Sequence, residues 1–211
     1  MSDLDPTPSR DPIGIPTPAQ TRRICVYCGS RDGASPTFAL AARALAEALV
    51  ARRVGLIYGG ASVGLMGILA DRTLALGGEA IGVIPRLLVD KELAHQRLSQ
   101  LIVTDSMHDR KLRMAALADG FLALPGGAGT LDELFEIWTW SLLGLHDKPI
   151  GLLNLDGYYT PLLQFLDGAV AAGFLAPRQR ALLYAEGDLP TLLDRLLAPP
   201  TERGIQGLPS V

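Results

Sequence analysis

The chain has 211 residues, of which 48% are hydrophobic and 19% are charged. This composition supplies enough apolar surface for a sizeable core, and it excludes an intrinsically disordered or fibrous protein. The formal net charge of -3 lacks the basic excess with which general nucleic-acid binders neutralise phosphates, so we expect no nucleic-acid partner.

Residues 1–21 are predicted to form a flexible, proline-rich arm. Their prolines stand among small and polar residues, a composition that cannot repay the entropy of ordering. They contain no basic region followed by an apolar block, as a signal peptide would, and no later apolar stretch reaches the roughly 18 residues that span a membrane. We therefore expect a cytoplasmic protein without a membrane partner, with a folded domain over 22–197 and a flexible tail over 198–211.

Between these segments, short apolar runs alternate with stretches whose apolar residues recur every three or four positions. The runs predict strands at 24–28, 55–58, 80–84, 101–103, 121–124, 150–153 and 181–184. The periodic stretches predict helices at 37–52, 65–76, 107–118, 131–143, 160–172 and 189–197. Because the strand runs are apolar throughout, the sheet should be covered on both faces. We predict a Rossmann-like, doubly wound α/β fold with a mainly parallel sheet and helices on both faces.

The two cysteines, Cys25 and Cys28, lie in the first predicted strand with CxxC spacing. Redox-active CxxC pairs begin a helix, whereas strand residues three apart point to opposite faces of a sheet. We therefore expect both cysteines to be reduced and buried in the core.

Glycines and polar residues follow the ends of the predicted strands, at the edge where doubly wound sheets bind ligands. Ser30, Gly60 and Gly126 follow the first, second and fifth strands. The loop at 126–130 leads from a strand into a helix, an arrangement that suits a phosphate. It matches neither GxGxxG nor GxxxxGK[ST], which argues against a dinucleotide cofactor and a P-loop triphosphatase. The phosphate of a mononucleotide fits this loop better.

Charged residues near this edge have both a structural and a functional interpretation. Thr130 and Glu133 match a capping box, so Glu133 is either a helix cap or a functional carboxylate. Arg110 and Lys111 stand at the start of a predicted helix, after a cap at residue 105 or 106. Their charges oppose the helix dipole there, so they are either solvent-exposed or compensated by an anion.

The three histidines, His95, His108 and His146, show no metal-ligand spacing. We expect no metal site and interpret them as solvent-exposed or capping residues. No GxSxG motif indicates a serine hydrolase.

Three segments resemble the successive motifs of the LOG family: 58–67 (YGGASVGLMG), 107–114 (MHDRKLRM) and 125–133 (PGGAGTLDE). The resemblance extends from about residue 23 to about residue 175 and includes HDKP at 146–149 and DGYY at 156–159. Characterised members of this family are cytokinin riboside 5'-monophosphate phosphoribohydrolases. Two positions depart from the usual pattern. Arg31 stands where serine is common, which is expected to alter the pocket rim, and Ala61 stands where a third glycine is common.

The resemblance implies hydrolysis of the N-glycosidic bond of a purine nucleoside 5'-monophosphate, without a metal or redox cofactor. It implies that Arg110 and Glu133 are catalytic. Glu133 would hold the ribose hydroxyls and support the oxocarbenium-like cation or the incoming water, while Arg110 would orient Glu133 and assist the departing base. Together with the loop residues above, the residues expected to bind the nucleotide are Ser30, Gly60, Glu92, Arg110, Lys111, Gly126, Gly127, Gly129, Thr130 and Thr139.

Two other functions stay open. A non-catalytic carrier or sensor of a nucleotide or nucleotide-like cofactor would bind its ligand without turnover. A lysine decarboxylase, a label sometimes attached to this family, would need pyridoxal phosphate on a lysine. The chain offers only Lys91, Lys111 and Lys148, and none has a recognisable cofactor context.

The predicted helix at 131–143 is apolar over most of its circumference, which is more than one sheet can cover. A partner subunit would cover the rest, although packing within one chain is the alternative. The family resemblance implies a homodimer with the pocket near the interface.

Overall fold

The computed structural model describes residues 22–89 and 93–199. The described strands are β1 (Arg23–Tyr27), β2 (Gly55–Tyr58), β3 (Ala80–Pro85), β4 (Gln100–Thr104), β5 (Gly120–Ala123), β6 (Ile150–Leu153) and β7 (Leu183–Glu186). The helices are α1 (Pro36–Ala51), α2 (Gly64–Ala75), α3 (Arg86–Val89), α4 (Met107–Leu117), α5 (Ala128–Leu142), α6 (Thr160–Ala171), α7 (Pro177–Arg180) and α8 (Leu189–Leu197). The predicted arm at 1–21 and most of the predicted tail at 198–211 lie outside the described residues.

The described strands form one seven-stranded parallel sheet in the order β4-β3-β2-β1-β5-β6-β7. The chain adds β2, β3 and β4 outward from β1, and then returns to the other side of β1 with β5. Ile24 of β1 lies opposite Gly120 of β5, and Tyr27 lies opposite Ala123. The strand order therefore reverses between β1 and β5, and open α/β sheets bind ligands outside the carboxyl ends of such a pair.

Helices cover both faces of this sheet. On one face α1, α2 and α8 contribute Leu45, Leu69 and Leu193 to the core, and on the other face α4 and α5 contribute Met114 and Leu134. The central strands send alternate side chains into the two cores, which is why their residues are mostly apolar, whereas the edge strand β4 is partly exposed. The predicted doubly wound α/β fold is confirmed.

The first strand shows this alternation clearly. Val26 and Cys28 enter the core under α1 and α2, whereas Cys25 and Tyr27 enter the core under α4 and α5. Both cysteines are free and buried. Burial also raises the pKa of each thiol above its ordinary value, which disfavours the reactive thiolate. The prediction of reduced core cysteines is confirmed.

The predicted elements differ from the structure mainly where elements are short. The sequence does not predict α3, α7 or the 3₁₀ turn at Leu155–Gly157, because segments of at most four residues show no periodicity. Strand β7 begins two residues after its predicted start, and α5 begins three residues before its predicted start. No helix in the described part of the chain has the length and apolar character needed to cross a membrane.

Two buried tyrosines provide a matched test of hydroxyl burial. The Tyr58 hydroxyl has no hydrogen-bond partner among the described residues, whereas the Tyr159 hydroxyl donates to Leu124 O at 2.7 Å. Tyr58→Phe is therefore expected to leave the free energy of unfolding unchanged or to raise it by up to about 1 kcal/mol, because an unpartnered buried hydroxyl is destabilising. Tyr159→Phe should lower it by about 1 kcal/mol. Urea denaturation measures both changes, and equal losses in the two variants would contradict this prediction.

Candidate active site

A buried ion pair joins two helices at the ligand-binding edge of the sheet. Arg110 lies near the start of α4 and Glu133 near the start of α5. Nη1 of Arg110 is 2.7 Å from Oε1 of Glu133. The two residues are only 7% and 8% exposed, so neither charge is well solvated. The structure thus brings together the two residues that the sequence predicts to be catalytic.

A backbone carbonyl and a glycine also position the Arg110 side chain. Its Nε donates to Val83 O, in β3, at 3.0 Å. Its Nη2 passes directly over Gly59, where any Cβ atom would collide with it. Position 59 must therefore be glycine if the guanidinium is to reach Glu133.

The surroundings of Glu133 shift its acidity. Burial raises the pKa of the Glu133 carboxyl above its ordinary value, while the positive charge of Arg110 opposes this increase. Among the more distant charges, Asp132 raises the same pKa and Lys111 lowers it. A buried carboxylate beside a fixed cation can stabilise developing positive charge or assist an attacking water molecule.

The predicted capping box at Thr130 and Glu133 is wrong. Helix α5 begins at Ala128, and its N-cap is Gly127, which has no side chain to cap with. Thr130 is consequently the third residue of the helix, and Glu133 turns towards α4 instead of towards the helix start. The cap of α4 is Ser106, one of the two predicted positions.

The N-terminus of α5 is open at the sheet edge. A Cβ atom on Gly127 or Gly129 would meet nothing within 4 Å, whereas one on Gly126 would overlap Thr130 and approach the amide of Gly29. The first N–H groups of any helix lack intrahelical partners, and no side chain caps them here. The loop therefore presents backbone N–H groups and the positive end of the helix dipole to an anion.

A cleft of about 390 Å³ opens beside this loop, between the ends of β1 and β5. Ser30 and Arg31 line it after β1, Gly126 and Gly127 after β5, and Tyr158 after β6. Arg31 is exposed, and it forms no ion pair with any residue that the structure describes. The predicted binding residues Ser30, Gly126 and Gly127 thus share one cleft, and Arg31 adds a cation to its wall.

Lys111 is held by acidic residues of α5. Its Nζ lies 2.7 Å from a carboxylate oxygen of Glu136 and 3.2 Å from one of Asp132. Burial lowers the pKa of Lys111, but the two ion pairs together outweigh it and raise the pKa above its ordinary value. These carboxylates compensate the positive charge near the start of α4, which is one of the two alternatives that the sequence left open.

The other predicted binding residues lie in different surroundings. Gly60 has a φ of +78°, a conformation that favours glycine, and packs against β3. Thr139 lies on an exposed part of α5, about 9 Å along the helix axis from Glu133, and its hydroxyl donates to Phe135 O. Glu92 lies outside the described residues.

The interpretation of His95 as solvent-exposed is wrong, because this side chain is buried and hydrogen-bonded to Asp71. Its Nε2 lies 3.1 Å from Asp71 Oδ1, and its Nδ1 accepts from Arg97 N. These contacts connect the chain after residue 92 to α2. Within residues 22–89 and 93–199, no group of three or more His, Cys, Asp or Glu side chains could hold a metal ion.

Two residues at this edge are missing from the predicted site. Gly59 makes room for Arg110, and the Tyr158 hydroxyl donates to Gly126 O at 2.6 Å. Gly59 directly precedes Gly60 in the segment 58–67, and Tyr158 belongs to the DGYY segment, so both positions stood in recognised motifs. Their roles depend on contacts with distant segments, which a motif does not specify.

Comparisons with known proteins agree on one family. Residues 66–196 match the family model described as "possible lysine decarboxylase". The chain is 47% identical to cytokinin riboside 5'-monophosphate phosphoribohydrolase LOG5 of Arabidopsis thaliana, over 84% of this chain and 78% of that protein. It is 49% identical to the probable cytokinin riboside 5'-monophosphate phosphoribohydrolase LOGL9 of Oryza sativa subsp. japonica, over 83% of this chain and 77% of that protein.

Solved structures share the fold at lower identity. The Moco carrier protein from Chlamydomonas reinhardtii superposes with a TM-score of 0.61 at 21% identity, over 80% of this chain and 91% of that one. The molybdenum cofactor binding protein from Rippkaea orientalis superposes with a TM-score of 0.60 at 22% identity and the same coverage. These two likenesses concern the fold alone, whereas the sequence relatives are close enough to assign a family. The chain belongs to the LOG family, the family of the cytokinin riboside 5'-monophosphate phosphoribohydrolases.

Proposed function

We propose that this protein hydrolyses the N-glycosidic bond of an N6-modified adenosine 5'-monophosphate, releasing the free base and ribose 5-phosphate. The observation that carries the proposal is the buried Arg110–Glu133 ion pair beside the open N-terminus of α5. Relatives that are 47% and 49% identical are named for this reaction on cytokinin riboside 5'-monophosphates.

In this proposal the glycine-rich loop receives the 5'-phosphate. Backbone N–H groups at Gly127, Gly129 and Thr130 stand at the positive end of α5, where an anion is stabilised. Arg31 adds a guanidinium group at the rim of the same cleft, beside the carboxylate of Asp32. Anion binding by a few local groups is compatible with a chain whose net charge is -3.

Glu133 and Arg110 act on the ribose and the base. Breaking the N-glycosidic bond leaves oxocarbenium-like positive charge on the ribose, which a neighbouring carboxylate stabilises. Glu133 contacts the ribose hydroxyls and supports this cation or the water that attacks it. Arg110 keeps Glu133 oriented and assists the departing base. Glu92, Lys111 and Thr139 are proposed as further nucleotide contacts.

The lysines do not fit the decarboxylase in the name of the family model. Pyridoxal phosphate needs a lysine amine that is free to form a Schiff base. Lys111 is ion-paired to Glu136 and Asp132, and Lys148 Nζ donates to Ala115 O at 2.8 Å. Lys91 lies outside the described residues. We therefore assign no step to this cofactor.

We also propose that the protein acts as a homodimer. An apolar cleft of about 470 Å³ lies between α4 and the end of α5, lined among others by Leu112, Trp140 and Leu145. Leu143 beside it is 69% exposed. A second copy of the chain would cover this apolar surface and bring the outer side of α5, with Thr139, into an interface.

The domain limits at 22 and 197 and the cytoplasmic location remain predictions from the sequence.

Glu133→Gln is expected to lower kcat by about 10²–10³-fold, because the amide cannot carry the charge that stabilises the ribose cation. The assay incubates AMP and N6-isopentenyl-AMP with the protein and quantifies free base by chromatography. Asp167→Asn is the matched control, since Asp167 is an exposed residue of α6 paired with Arg180. Full activity in Glu133→Gln would contradict the role of Glu133. A wild-type protein that binds the nucleotide without releasing base would instead be the carrier.

The acid limb of the kcat/KM profile is expected above the ordinary pKa of glutamate, because activity needs ionised Glu133 and burial raises its pKa. Asp132→Asn removes a negative charge that contributes to this increase, so the limb should move to lower pH. Initial rates from pH 4 to 8 in wild type, Asp132→Asn and Asp167→Asn measure the shift. A limb that moves to higher pH in Asp132→Asn would rule out this electrostatic coupling.

Leu145→Glu is expected to dissociate the dimer, because it places a charge in the apolar cleft between α4 and α5. Sedimentation velocity at micromolar concentration should give a dimer for wild type and a monomer for the variant. Phe174→Glu provides the control, since Phe174 is 90% exposed and lies after α6. Wild type that sediments as a monomer would refute the proposed homodimer.

A further inference from the structure

All carbonyl groups from residue 124 to residue 127, between β5 and α5, accept hydrogen bonds within the protein. The donors and distances are the Tyr159 hydroxyl to Leu124 O at 2.7 Å, Gly29 N to Pro125 O at 3.2 Å, the Tyr158 hydroxyl to Gly126 O at 2.6 Å, and Leu131 N to Gly127 O at 3.1 Å. The loop therefore directs these acceptors into the protein. The N–H of Leu124 donates to Tyr27 O at 2.9 Å, whereas those of Gly126 and Gly127 have no partner among the described residues and can donate to a ligand.

Among the four groups that donate to these carbonyls, only the Tyr158 hydroxyl contacts a peptide group between two consecutive glycines, Gly126 and Gly127. The carbonyl of Gly126 and the N–H of Gly127 belong to one planar unit and point in opposite directions. Because neither flanking residue has a Cβ atom, this unit can rotate with little steric resistance. The Tyr158 hydroxyl fixes its orientation by holding the carbonyl, and so directs the N–H of Gly127 to the opposite side.

The ring of Tyr158 is itself held in position. It packs edge-on against Phe38, with ring centroids 5.7 Å apart, and against Tyr159, at 5.0 Å. The turn before it contains two left-handed residues, Asp156 with a φ of 50° and Gly157 with a φ of 77°. Since the Tyr158 side chain is 43% exposed, its hydroxyl contributes less to folding than a buried one would.

We propose that Tyr158 is a positioning residue for phosphate binding, which acts by locking the Gly126–Gly127 peptide group. The proposal rests on the proposed function, because it assigns the loop to the 5'-phosphate. Without the hydroxyl, the peptide group samples the flipped orientation, in which the Gly126 oxygen replaces the Gly127 N–H and repels the phosphate. Tyr158 thus acts on substrate binding and leaves the Arg110–Glu133 pair untouched.

Tyr158→Phe removes the hydroxyl and keeps the ring. We expect KM for AMP and N6-isopentenyl-AMP to rise about fivefold, a typical effect of one hydrogen bond, with kcat changed less than twofold. Inhibition by ribose 5-phosphate should weaken by the same factor, whereas inhibition by adenosine, which has no phosphate, should not change. Tyr184→Phe is the matched control, because Tyr184 lies in the edge strand β7 against Arg195.

Amide hydrogen exchange provides a readout that does not depend on catalysis. Exchange at residues 126–129 should be faster in Tyr158→Phe than in wild type and Tyr184→Phe. If wild type hydrolyses no nucleotide, the proposed function fails, and the exchange rates alone decide whether Tyr158 orders the loop. In an active enzyme, an unchanged KM, unchanged exchange, or an equal loss of adenosine inhibition would overturn the role of Tyr158.

Discussion

The buried ion pair between Arg110 and Glu133 determines which residues can stand at several positions along the ligand-binding edge of the sheet. A single buried charge would cost several kcal/mol, so Arg110 and Glu133 are tolerated only as a pair. The Nε donor of Arg110 needs an acceptor, which Val83 O supplies, and the guanidinium group occupies the space that Gly59 leaves. One ion pair therefore constrains residues after β2, in β3, in α4 and in α5. A substitution at any of these places acts on the same carboxylate.

The pair also explains how a carboxylate can be both buried and charged. Burial favours the protonated form of Glu133, and the adjacent guanidinium favours the ionised form. The site thus contains a poorly hydrated negative charge, which interacts more strongly with a developing cation than an exposed one would. At the neighbouring loop, dipoles of backbone N–H groups supply the complementary positive potential without further buried charges. In the proposed reaction, the loop therefore faces the phosphate, and Glu133 faces the positive charge that develops on the ribose as the bond breaks.

Sequence patterns predicted the features that depend on local chemistry. Apolar runs located the strands, and the spacing of Cys25 and Cys28 placed them on opposite faces of the sheet. The patterns failed where a distant partner decides the outcome. The Thr130–Glu133 spacing looks like a cap, but the glycine loop starts the helix at Ala128 and leaves Glu133 to an arginine from another helix.

Long-range partners also explain the other differences. The polarity of His95 suggested exposure, yet Asp71 from α2 provides the contact that permits its burial. The contact of Tyr158 with Gly126 joins segments 32 residues apart, and no motif encodes such a distance.

The parallel pairing of β1 with β5 has a related consequence for synthesis on the ribosome. Strand β1 can pair with β5 only after residue 120 has been synthesised, because Ile24 lies opposite Gly120. The pairings of β1 with β2 and of β2 with β3 join consecutive strands and need less of the chain. Glu133 follows β5 along the chain, so the ion pair with Arg110 can form only after the central strand β5 has been synthesised.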